Sequence, residues 1–332
     1  MARLLVDVHA AQHCFAADAA GAARGLGAIF ASRAMPPAVP VYTPASSAAE
    51  SWRWAAASLG LYISPEIAIL WLAINPKGCA MKIATYNFCR GGKPDCRTLF
   101  RLFETLQPDI VTGQEACPLA QYLAHTPEYR SVFSSTFTWG QASTNYWGSF
   151  VYAKDGTTEN IPLTNIKLAG WVVGVEIKNS ILNTYSAKPI RIFSIHNPTR
   201  TESTYFREAL AIVEELKSHK DVADLIVSGD FNLTITERNA QEHRKNSEED
   251  KVIISKIRDE LGLVNCWKTV HPEKFLDQTF HGGQFPAPPF HIDGIFIPQA
   301  WKHRIQACEV VSPPKYEWFE GDHYPMYVDI RN

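Results

Sequence analysis

The stretch LIVSGDFN, residues 225–232, combines two features that rarely occur together in a hydrophobic core. Its apolar run is typical of a short buried strand, yet the run leads directly into Asp230, and Asn232 follows two positions later. Asp-x-Asn is also a common start of an Asx turn, so this stretch alone leaves both interpretations open. In open α/β sheets, however, ligands bind at the carboxyl ends of strands, which is where the sequence places Asp230.

Three more apolar runs end in the same way. Each is followed by a polar residue that a core strand would not choose: Asn87 after Lys82–Tyr86, Glu115 after Ile110–Gln114, and His196 after Arg191–Ile195. A single Glu after a strand is more often a solvated loop residue. Four such strand ends in one α/β domain, in contrast, predict a shared crevice lined by Asn, Glu, His and Asp side chains.

Two segments near the end of the chain add ionisable side chains. Asp293 lies inside the apolar run HIDGIFIP, residues 291–298, and the pair Asp322–His323 lies in GDHYP, residues 321–325. A carboxylate in a buried strand requires a partner, because burying it unpaired costs several kcal/mol. His323 is the best candidate partner, although a histidine considered alone is as often a structural residue.

These positions also predict a divalent cation. The four carboxylates of Glu115, Asp230, Asp293 and Asp322 repel one another if they share one crevice, and a cation removes that repulsion. Carboxylate and amide oxygens suit a hard ion such as Mg²⁺ or Mn²⁺. From residue 81 on, the sequence has neither the Cys/His spacing of a zinc site nor the glycine-rich loop of a nucleotide-binding protein.

Short apolar runs alternate with amphipathic segments from Met81 to Asn332. Strands are expected at 82–87, 109–112, 129–133, 147–153, 171–178, 190–195, 224–228, 291–297, 307–311 and 326–330, and helices at 98–106, 118–125, 202–219 and 250–261. The chain has 332 residues, 46% of them hydrophobic and 20% charged, which excludes a wholly disordered chain and a polytopic membrane protein. Strands and helices in alternation predict one α/β domain, residues 81–332.

Residues 1–80 have a different composition, and three interpretations of them stay open. Their first part is rich in alanine, with more basic than acidic residues, as in a targeting extension. Residues 55–74 are apolar enough to suggest a membrane anchor, but Pro65 and Glu66 interrupt them. The interpretation that we favour is a wrongly assigned start, with Met81 as the true first residue. In each case we expect 1–80 to lie outside the catalytic fold.

The charge of the chain argues against a protein that holds nucleic acid by electrostatic attraction alone. The formal net charge is −2, and residues 1–80 hold five basic and four acidic residues, which leaves 27 basic and 30 acidic residues in 81–332. The basic residues near the first motif, Arg90, Lys93, Arg97 and Arg101, are more typical of a solvated surface. Seven cysteines without a Cys-x-x-Cys pair indicate free thiols, and therefore a cytoplasmic protein.

Six motifs occur in an order that resembles a known family. They are TYN at 85–87, GQE at 113–115, SIHN at 194–197, GDFN at 229–232, HIDGIF at 291–296 and GDHYP at 321–325. Together they resemble the endonuclease/exonuclease/phosphatase superfamily, also called deoxyribonuclease I-like, over about residues 81–331. The resemblance implies an α/β fold, a four-layer α/β sandwich of two packed mixed sheets with outer helices. It also implies Mg²⁺-dependent hydrolysis of phosphodiesters or phosphomonoesters.

The resemblance also implies roles for the metal-binding and water-activating residues. Glu115 is implied to be the principal metal ligand, with Asn87 and Asp322 as further metal or phosphate contacts. Asp230 is implied to orient or deprotonate the attacking water. Asn232 is implied to hold the phosphate or the water in line.

Two histidines and a third carboxylate complete the implied site. His323 is implied to bind the scissile phosphate and to stabilise charge in the transition state. Asp293 is implied to orient His323, as a carboxylate does for a catalytic imidazole. His196 is implied to be a second phosphate-facing histidine.

Three positions depart from patterns that are common in the family. His196-Asn197-Pro198 occupies a slot where members that act at abasic DNA usually carry tyrosine. The chain is therefore more similar to the histidine-bearing branch of nucleases, sphingomyelinases and inositol-polyphosphate phosphatases. Gly321 replaces a frequent serine, which we expect to loosen a hydrogen bond without abolishing the chemistry. Cys89 stands where some relatives have a metal contact, so we expect a single metal ion.

Two functions from different classes remain. A metal-dependent phosphoesterase, either nuclease-like or a small-molecule or lipid phosphodiesterase, is favoured because no metal or histidine position is missing. The alternative is a catalytically silent module that binds phosphorylated ligands. We expect Mg²⁺ or Mn²⁺ as cofactor, a phosphate-ester substrate with nucleic acid as one class, a monomer, and no stable membrane insertion of the catalytic domain. The aromatic segment 315–319 either stacks on the substrate or closes the sandwich edge.

Overall fold

The computed structural model describes residues 80–89, 97–125, 137–142, 146–178, 180–198, 204–238, 246–282, 290–312 and 321–332. Several expectations concern residues outside these ranges: the extension up to residue 79 with its apolar stretch 55–74, the strand at 129–133, the basic residues at 90 and 93, and the aromatic segment 315–319. Within the described ranges, no helix is long and apolar enough to cross a membrane.

Six strands form the first sheet. They are β1 (Ala80–Asn87), β2 (Ile110–Ala116), β3 (Phe137–Gln141), β4 (Gly148–Ala153), β11 (Ile305–Val310) and β12 (Met326–Arg331). Across the sheet their order is β11-β12-β1-β2-β4-β3, with β1 parallel to β2 and the other neighbours antiparallel. The central strands β1 and β2 are buried almost throughout, which explains their nearly continuous apolar sequences.

Six further strands form the second sheet. They are β5 (Thr157–Ile161), β6 (Val172–Lys178), β7 (Ile190–His196), β8 (Asp224–Asp230), β9 (Leu263–Asn265) and β10 (Asp293–Pro298). Their order is β5-β6-β7-β8-β10-β9, and β7 is parallel to β8 while the other neighbours are antiparallel. Both sheets are therefore mixed, and each has one parallel pair near its centre.

Three hydrophobic clusters hold the layers together. One lies between the sheets and includes Ile83 of β1 and Ile192 of β7. A second joins the outer face of the first sheet to α1 (Arg97–Leu106) and α2 (Leu119–His125). The third joins the outer face of the second sheet to α3 (Tyr205–Lys217) and α4 (Glu248–Asp259). The short α5 (Cys266–Val270) contributes Trp267 to the cluster between the sheets. The four-layer α/β sandwich is thus confirmed.

Three strands that the sequence analysis missed, β3, β5 and β9, all lie at sheet edges. An edge strand is partly solvated, so it does not need the apolar run or regular alternation by which a strand is recognised. The sequence TTENI of β5 is an example, and β9 has only three residues. The helix expected at 202–219 extends from Tyr205 to Lys217, because the Thr204 side chain accepts a hydrogen bond from the Arg207 N–H and caps the helix there.

Candidate active site

Strand register brings the predicted strand-end residues to one crevice. Asn87 pairs with Gln114 across the parallel strands β1 and β2, which places Glu115 beside it. His196 pairs with Asp230 across the parallel strands β7 and β8. Asp293, the first residue of β10, pairs with Asp230 from the other side. The carboxyl ends of two parallel pairs, one in each sheet, therefore meet as the sequence predicted.

Glu115 lies inside β2 and not after its end, which corrects the sequence-based boundary. Gly113 and Ala116 pair with Phe150 and Gly148, so β2 contains one extra residue relative to β4. Glu115 has the left-handed φ of 51°, as the irregular residue of a bulge often does. The bulge directs its carboxylate to the crevice, where Oε1 lies 3.4 Å from Asn87 Nδ2 and 3.5 Å from His196 Nε2.

Asp230 accepts hydrogen bonds from residues on both sheets. Asn87 Nδ2 donates to its Oδ2 at 3.0 Å, which joins β1 to β8. Asn232 donates its backbone N–H to Oδ1 at 2.8 Å and its side-chain N–H to Oδ2 at 3.2 Å. The first of these bonds is that of an Asx turn, and Asn232 has a left-handed φ of 50°. Asp230 therefore forms the turn and lines the crevice at the same time.

Asp293 and His323 form the pair that was expected because a carboxylate in a buried strand requires a partner. His323 Nδ1 lies 2.8 Å from Asp293 Oδ2, and both side chains are almost fully buried. His323 Nε2 faces Asp230 Oδ2 at 3.8 Å. The imidazole thus has one nitrogen on an orienting carboxylate and the other directed to the crevice.

The pKa values of the two histidines are shifted in opposite directions. Burial opposes a charge on His323, but the carboxylates of Asp293 and Asp230 outweigh burial and raise its pKa to about 10. Burial, together with the charge on His323, lowers the pKa of His196 to about 3. At neutral pH the crevice therefore contains an imidazolium at His323 and a neutral imidazole at His196.

Asp322 lies beside Cys89, and the two side chains are hydrogen-bonded. Burial, and then the neighbouring Asp322, raises the pKa of the Cys89 thiol to about 11, so the thiol is uncharged at neutral pH. The Cys89 N–H donates to Asn87 Oδ1 at 2.9 Å, which orients the amide of Asn87. Gly321 leaves room for Tyr86, because a Cβ at this position would come within 2.9 Å of the Tyr86 hydroxyl.

The donor set suits a hard cation. Ligand atoms of Asp230, Asp293 and His323 lie within 4.8 Å of one another, so this buried cluster offers three ligand atoms to a metal ion. Glu115 is more accessible than these residues, and its carboxylate neighbours the amide of Asn87. The Glu115 side of the crevice therefore offers a second set of oxygen ligands for a hard cation.

Aromatic rings that the sequence analysis did not single out pack against both histidines. The rings of Trp147 and Trp171 lie 5.6 Å and 5.1 Å from the His196 ring, and Phe280 lies 4.8 Å from the His323 ring. Each of these three residues is partly buried, so part of each ring is open to the solvent. Isolated aromatic residues next to strands give no sequence signal, because core aromatic residues occur at the same positions.

Comparison with known proteins supports the fold at low sequence identity. No protein-family model and no curated protein matches the sequence. The structure is similar to an AP endonuclease from Archaeoglobus fulgidus, with a TM-score of 0.58 and 16% identity over 75% of this chain and 99% of that chain. It is also similar to the 3′ phosphatase NExo from Neisseria bound to product DNA hairpin, with a TM-score of 0.58 and 16% identity over 76% and 100% of the two chains.

A third similar structure is the AP endonuclease LMAP from Leishmania major, with a TM-score of 0.55 and 12% identity over 76% of this chain and 88% of that chain. These likenesses establish the fold. They confirm the deoxyribonuclease I-like architecture that the motif order implied.

Proposed function

Because the fold is deoxyribonuclease I-like, we propose that this chain is a metal-dependent phosphoesterase that hydrolyses a phosphodiester by in-line attack of an activated water. One observation carries the proposal. A buried carboxylate, Asp230, is held between the Asn87–Glu115 pair and the His323 imidazolium. Hydrolysis at phosphorus needs a base for the water on one side and positive charge for the phosphate oxygens on the other.

Asp230 is the general base in this proposal. Burial raises its pKa to about 7, against the opposing effects of His323 and the amide donors. A general base is most effective when its pKa lies near the working pH. Asn232 fixes both oxygens of Asp230, and its own amide is held by a bond from Nδ2 to the carbonyl oxygen of Asn197 at 3.0 Å.

The histidines bind the phosphate. His323 carries a positive charge, and its Nε2–H is free to leave the 3.8 Å contact with Asp230 for a phosphate oxygen. Asp293 holds the ring through Nδ1 and so fixes the direction of Nε2. His196 is neutral and supplies a single N–H without adding a second positive charge.

Glu115, Asn87 and Asp322 are the residues proposed to hold Mg²⁺ or Mn²⁺. A bound ion would act as a Lewis acid on the phosphate oxygen and offset the negative charge of the crevice. Asn87 Oδ1 accepts one bond from the Cys89 N–H and keeps a second lone pair for such an ion.

Nucleic acid is one proposed substrate class, and a small or lipid diester is the other. The similar Neisseria phosphatase is bound to DNA, which supports the first class. The net negative charge of residues 81–332 argues against binding of long duplexes by charge alone. A catalytically silent binding module has less support, because Asn87, Glu115, Asp230 and His323 are all present and in contact through a chain of short distances.

A panel assay tests the proposal. Single-stranded DNA, abasic duplex DNA, RNA, a phosphoinositide and bis(p-nitrophenyl) phosphate are each incubated with wild type in Mg²⁺, in Mn²⁺ and in EDTA. We expect metal-dependent cleavage of at least one substrate, and a loss of about 10² or more in kcat/KM for Asp230→Asn. Asp221→Asn, an exposed change of the same chemistry, is the control and keeps the wild-type rate.

Calorimetric titration with Mn²⁺ tests the metal assignment on the same proteins. Glu115→Gln is expected to weaken binding, and equal affinity in the two proteins would remove Glu115 from the ligand set. Tight binding of a phosphorylated ligand without cleavage of any substrate would favour the silent binding module.

A further inference from the structure

Two contacts in the candidate site run from one sheet to the other. Asn87 of β1 donates to Asp230 of β8 at 3.0 Å, and Glu115 of β2 lies 3.5 Å from His196 of β7. Two of the three proposed metal ligands, Asn87 and Glu115, thus belong to the first sheet, while the proposed base belongs to the second. The separation and the relative sliding of the two sheets therefore set the geometry of the site.

Directly behind the site lies a layer of buried hydroxyl and amide side chains, which we call the hydroxyl–amide layer. Its members are Thr85, Thr112, Gln114, Ser194 and Ser228, each 0% exposed. Residues two apart in a strand point to the same face. Thr85, Ser194 and Ser228 each precede a site residue of their own strand by two positions, so they face the other sheet one step behind the site.

Three hydrogen bonds of the hydroxyl–amide layer cross between the sheets. The hydroxyl oxygens of Thr112 and Ser228 lie 2.8 Å apart. Ser194 Oγ donates to the carbonyl oxygen of Gly113 at 3.0 Å, and Gln114 Nε2 donates to Ser194 Oγ at 3.0 Å. Gln114 also lies 3.4 Å from the Thr85 hydroxyl, which connects the layer to β1.

These hydrogen bonds constrain the relative position of the two sheets more strictly than the surrounding apolar packing does. Next to the layer the two sheets are packed through a cluster of interdigitating apolar side chains, which is the usual way in which sheets stack. Apolar contacts change little when one sheet slides slightly over the other, because they have no directional requirement. Hydrogen bonds lose strength over a few tenths of an ångström and specify one arrangement.

We propose that the hydroxyl–amide layer is a positioning layer that sets the distance between the Asn87–Glu115 half and the His196–Asp230 half of the site. Its members touch neither substrate nor metal. Thr85, Ser194 and Ser228 act through the site residue two positions further along their own strand. Thr112 and Gln114 act through their hydrogen bonds to these three. The effect of the layer on the catalytic rate rests on the proposed function. Its effect on the distance between the two halves of the site does not.

The cleanest test removes the Thr112–Ser228 pair as a whole. Thr112→Val together with Ser228→Ala replaces both partners by apolar groups of similar shape, so no unpaired polar atom is left and Tm stays close to wild type. We expect kcat/KM to fall about 10- to 100-fold, because misplacement by an ångström has effects of this size. The crystal structure of the variant is expected to show a longer Asn87 Nδ2–Asp230 Oδ2 distance than wild type.

Two single variants support the test if the double variant folds poorly. Thr112→Ser keeps the hydroxyl and should therefore keep the wild-type rate and the wild-type Asn87 Nδ2–Asp230 Oδ2 distance. Ser194→Ala removes two crossing bonds with the loss of one oxygen and should lower the rate in the same way as the double variant.

A matched control exists at the edge of the same sandwich. Thr138 of β3 and Thr158 of β5 also face each other between the sheets, with hydroxyl oxygens 2.9 Å apart, but each lies two strands away from the site. Thr138→Val with Thr158→Val removes an inter-sheet bond of the same kind and should leave the rate unchanged. Equal rate losses in both double variants would mean that the layer acts through general stability, and would overturn the proposal.

The failure of the positioning layer and the failure of the proposed function are distinguishable. If the wild-type protein cleaves no substrate, the proposed function fails. The Asn87 Nδ2–Asp230 Oδ2 distance in the crystal structure of the variant still tests whether the layer positions the two halves of the site. An unchanged distance in the Thr112→Val/Ser228→Ala variant overturns the layer whether or not the wild-type protein is active. A changed distance with an unchanged rate in an active enzyme overturns it as well.

Discussion

Asp230 accepts three hydrogen bonds and faces one cation, and these contacts determine what its carboxylate is able to do. The donors are Asn87 and the two N–H groups of Asn232, and the cation is His323. Burial raises the pKa of Asp230, and the donors and the cation oppose this rise. The balance near neutral pH suits a group that takes a proton from water during a reaction.

The His323–Asp293 pair is expected to act as a unit. His323→Ala should lower kcat/KM by about 10² or more, because the imidazolium stabilises charge that develops in the transition state. Asp293→Asn keeps the shape but weakens the orientation of the ring, so its loss should be smaller. The double variant should be no slower than His323→Ala alone, since groups that act together are not additive.

Steady-state kinetics of wild type, both single variants and the double variant on any cleaved diester measure this coupling. Circular dichroism of the four proteins is the control for folding. Losses that multiply in the double variant would show that Asp293 and His323 act independently.

The sequence indicated which side chains meet at the crevice better than it indicated the backbone geometry there. A carboxylate in an apolar strand needs a partner, and this physical argument led to the Asp293–His323 pair. The bulge at Glu115 was not predictable, because nothing in the sequence GQEA distinguishes a bulge from a regular strand end. The aromatic neighbours of His196 were not predictable either, because Trp147 and Trp171 immediately precede β4 and β6 and only the tertiary structure brings them to His196.

At the scale of elements, a buried carboxylate attaches α3 to the connection between β5 and β6. Glu215 of α3 accepts bonds from the Thr164 N–H at 2.9 Å, the Thr164 hydroxyl at 2.5 Å and the Asn165 N–H at 2.9 Å. Its side chain is only 1% exposed. Burial alone would raise the pKa of Glu215, but these donors outweigh burial and lower it.

Glu215→Gln is therefore expected to destabilise the fold in a pH-dependent way. Loss of the charge should lower the free energy of unfolding at pH 7 by about 2 kcal/mol, since hydrogen bonds to a charged group contribute this much. The folded pKa lies below the ordinary glutamate value of about 4.3, so the stabilisation is present above that pH and is lost as the pH falls through the folded pKa. Urea denaturation at several pH values measures it.

Glu214→Gln is the control for this prediction, because Glu214 is exposed on the same helix and its side chain pairs with Lys217 at the surface. Its effect should stay within about 0.5 kcal/mol at every pH. A difference between wild type and Glu215→Gln that does not change with pH would contradict the electrostatic explanation.

At the scale of the whole molecule, the central strands were predictable, but three of the four edge strands of the described sheets, β3, β5 and β9, were not. Central strands are buried on both faces, so their apolar runs are visible in the sequence, and their polar ends mark the crevice. Edge strands such as β5 carry mostly polar residues and are recognised only by their pairing. The division of the twelve strands in the described ranges into two sheets follows from long-range pairings such as β1 with β12, which short-range patterns do not contain.

Residues 81–332 are expected to fold and act without residues 1–80. The strands of both sheets that the structure describes lie between Ala80 and Arg331, and β1 is an interior strand held by β12 and β2. A chain that begins at Met81 loses only the first residue of β1. It should show the same cooperative thermal transition and the same kcat/KM as the full chain, which is purified and measured in parallel. An insoluble or unfolded product would show that residues 1–80 are part of the folded structure and that Met81 is not the true start.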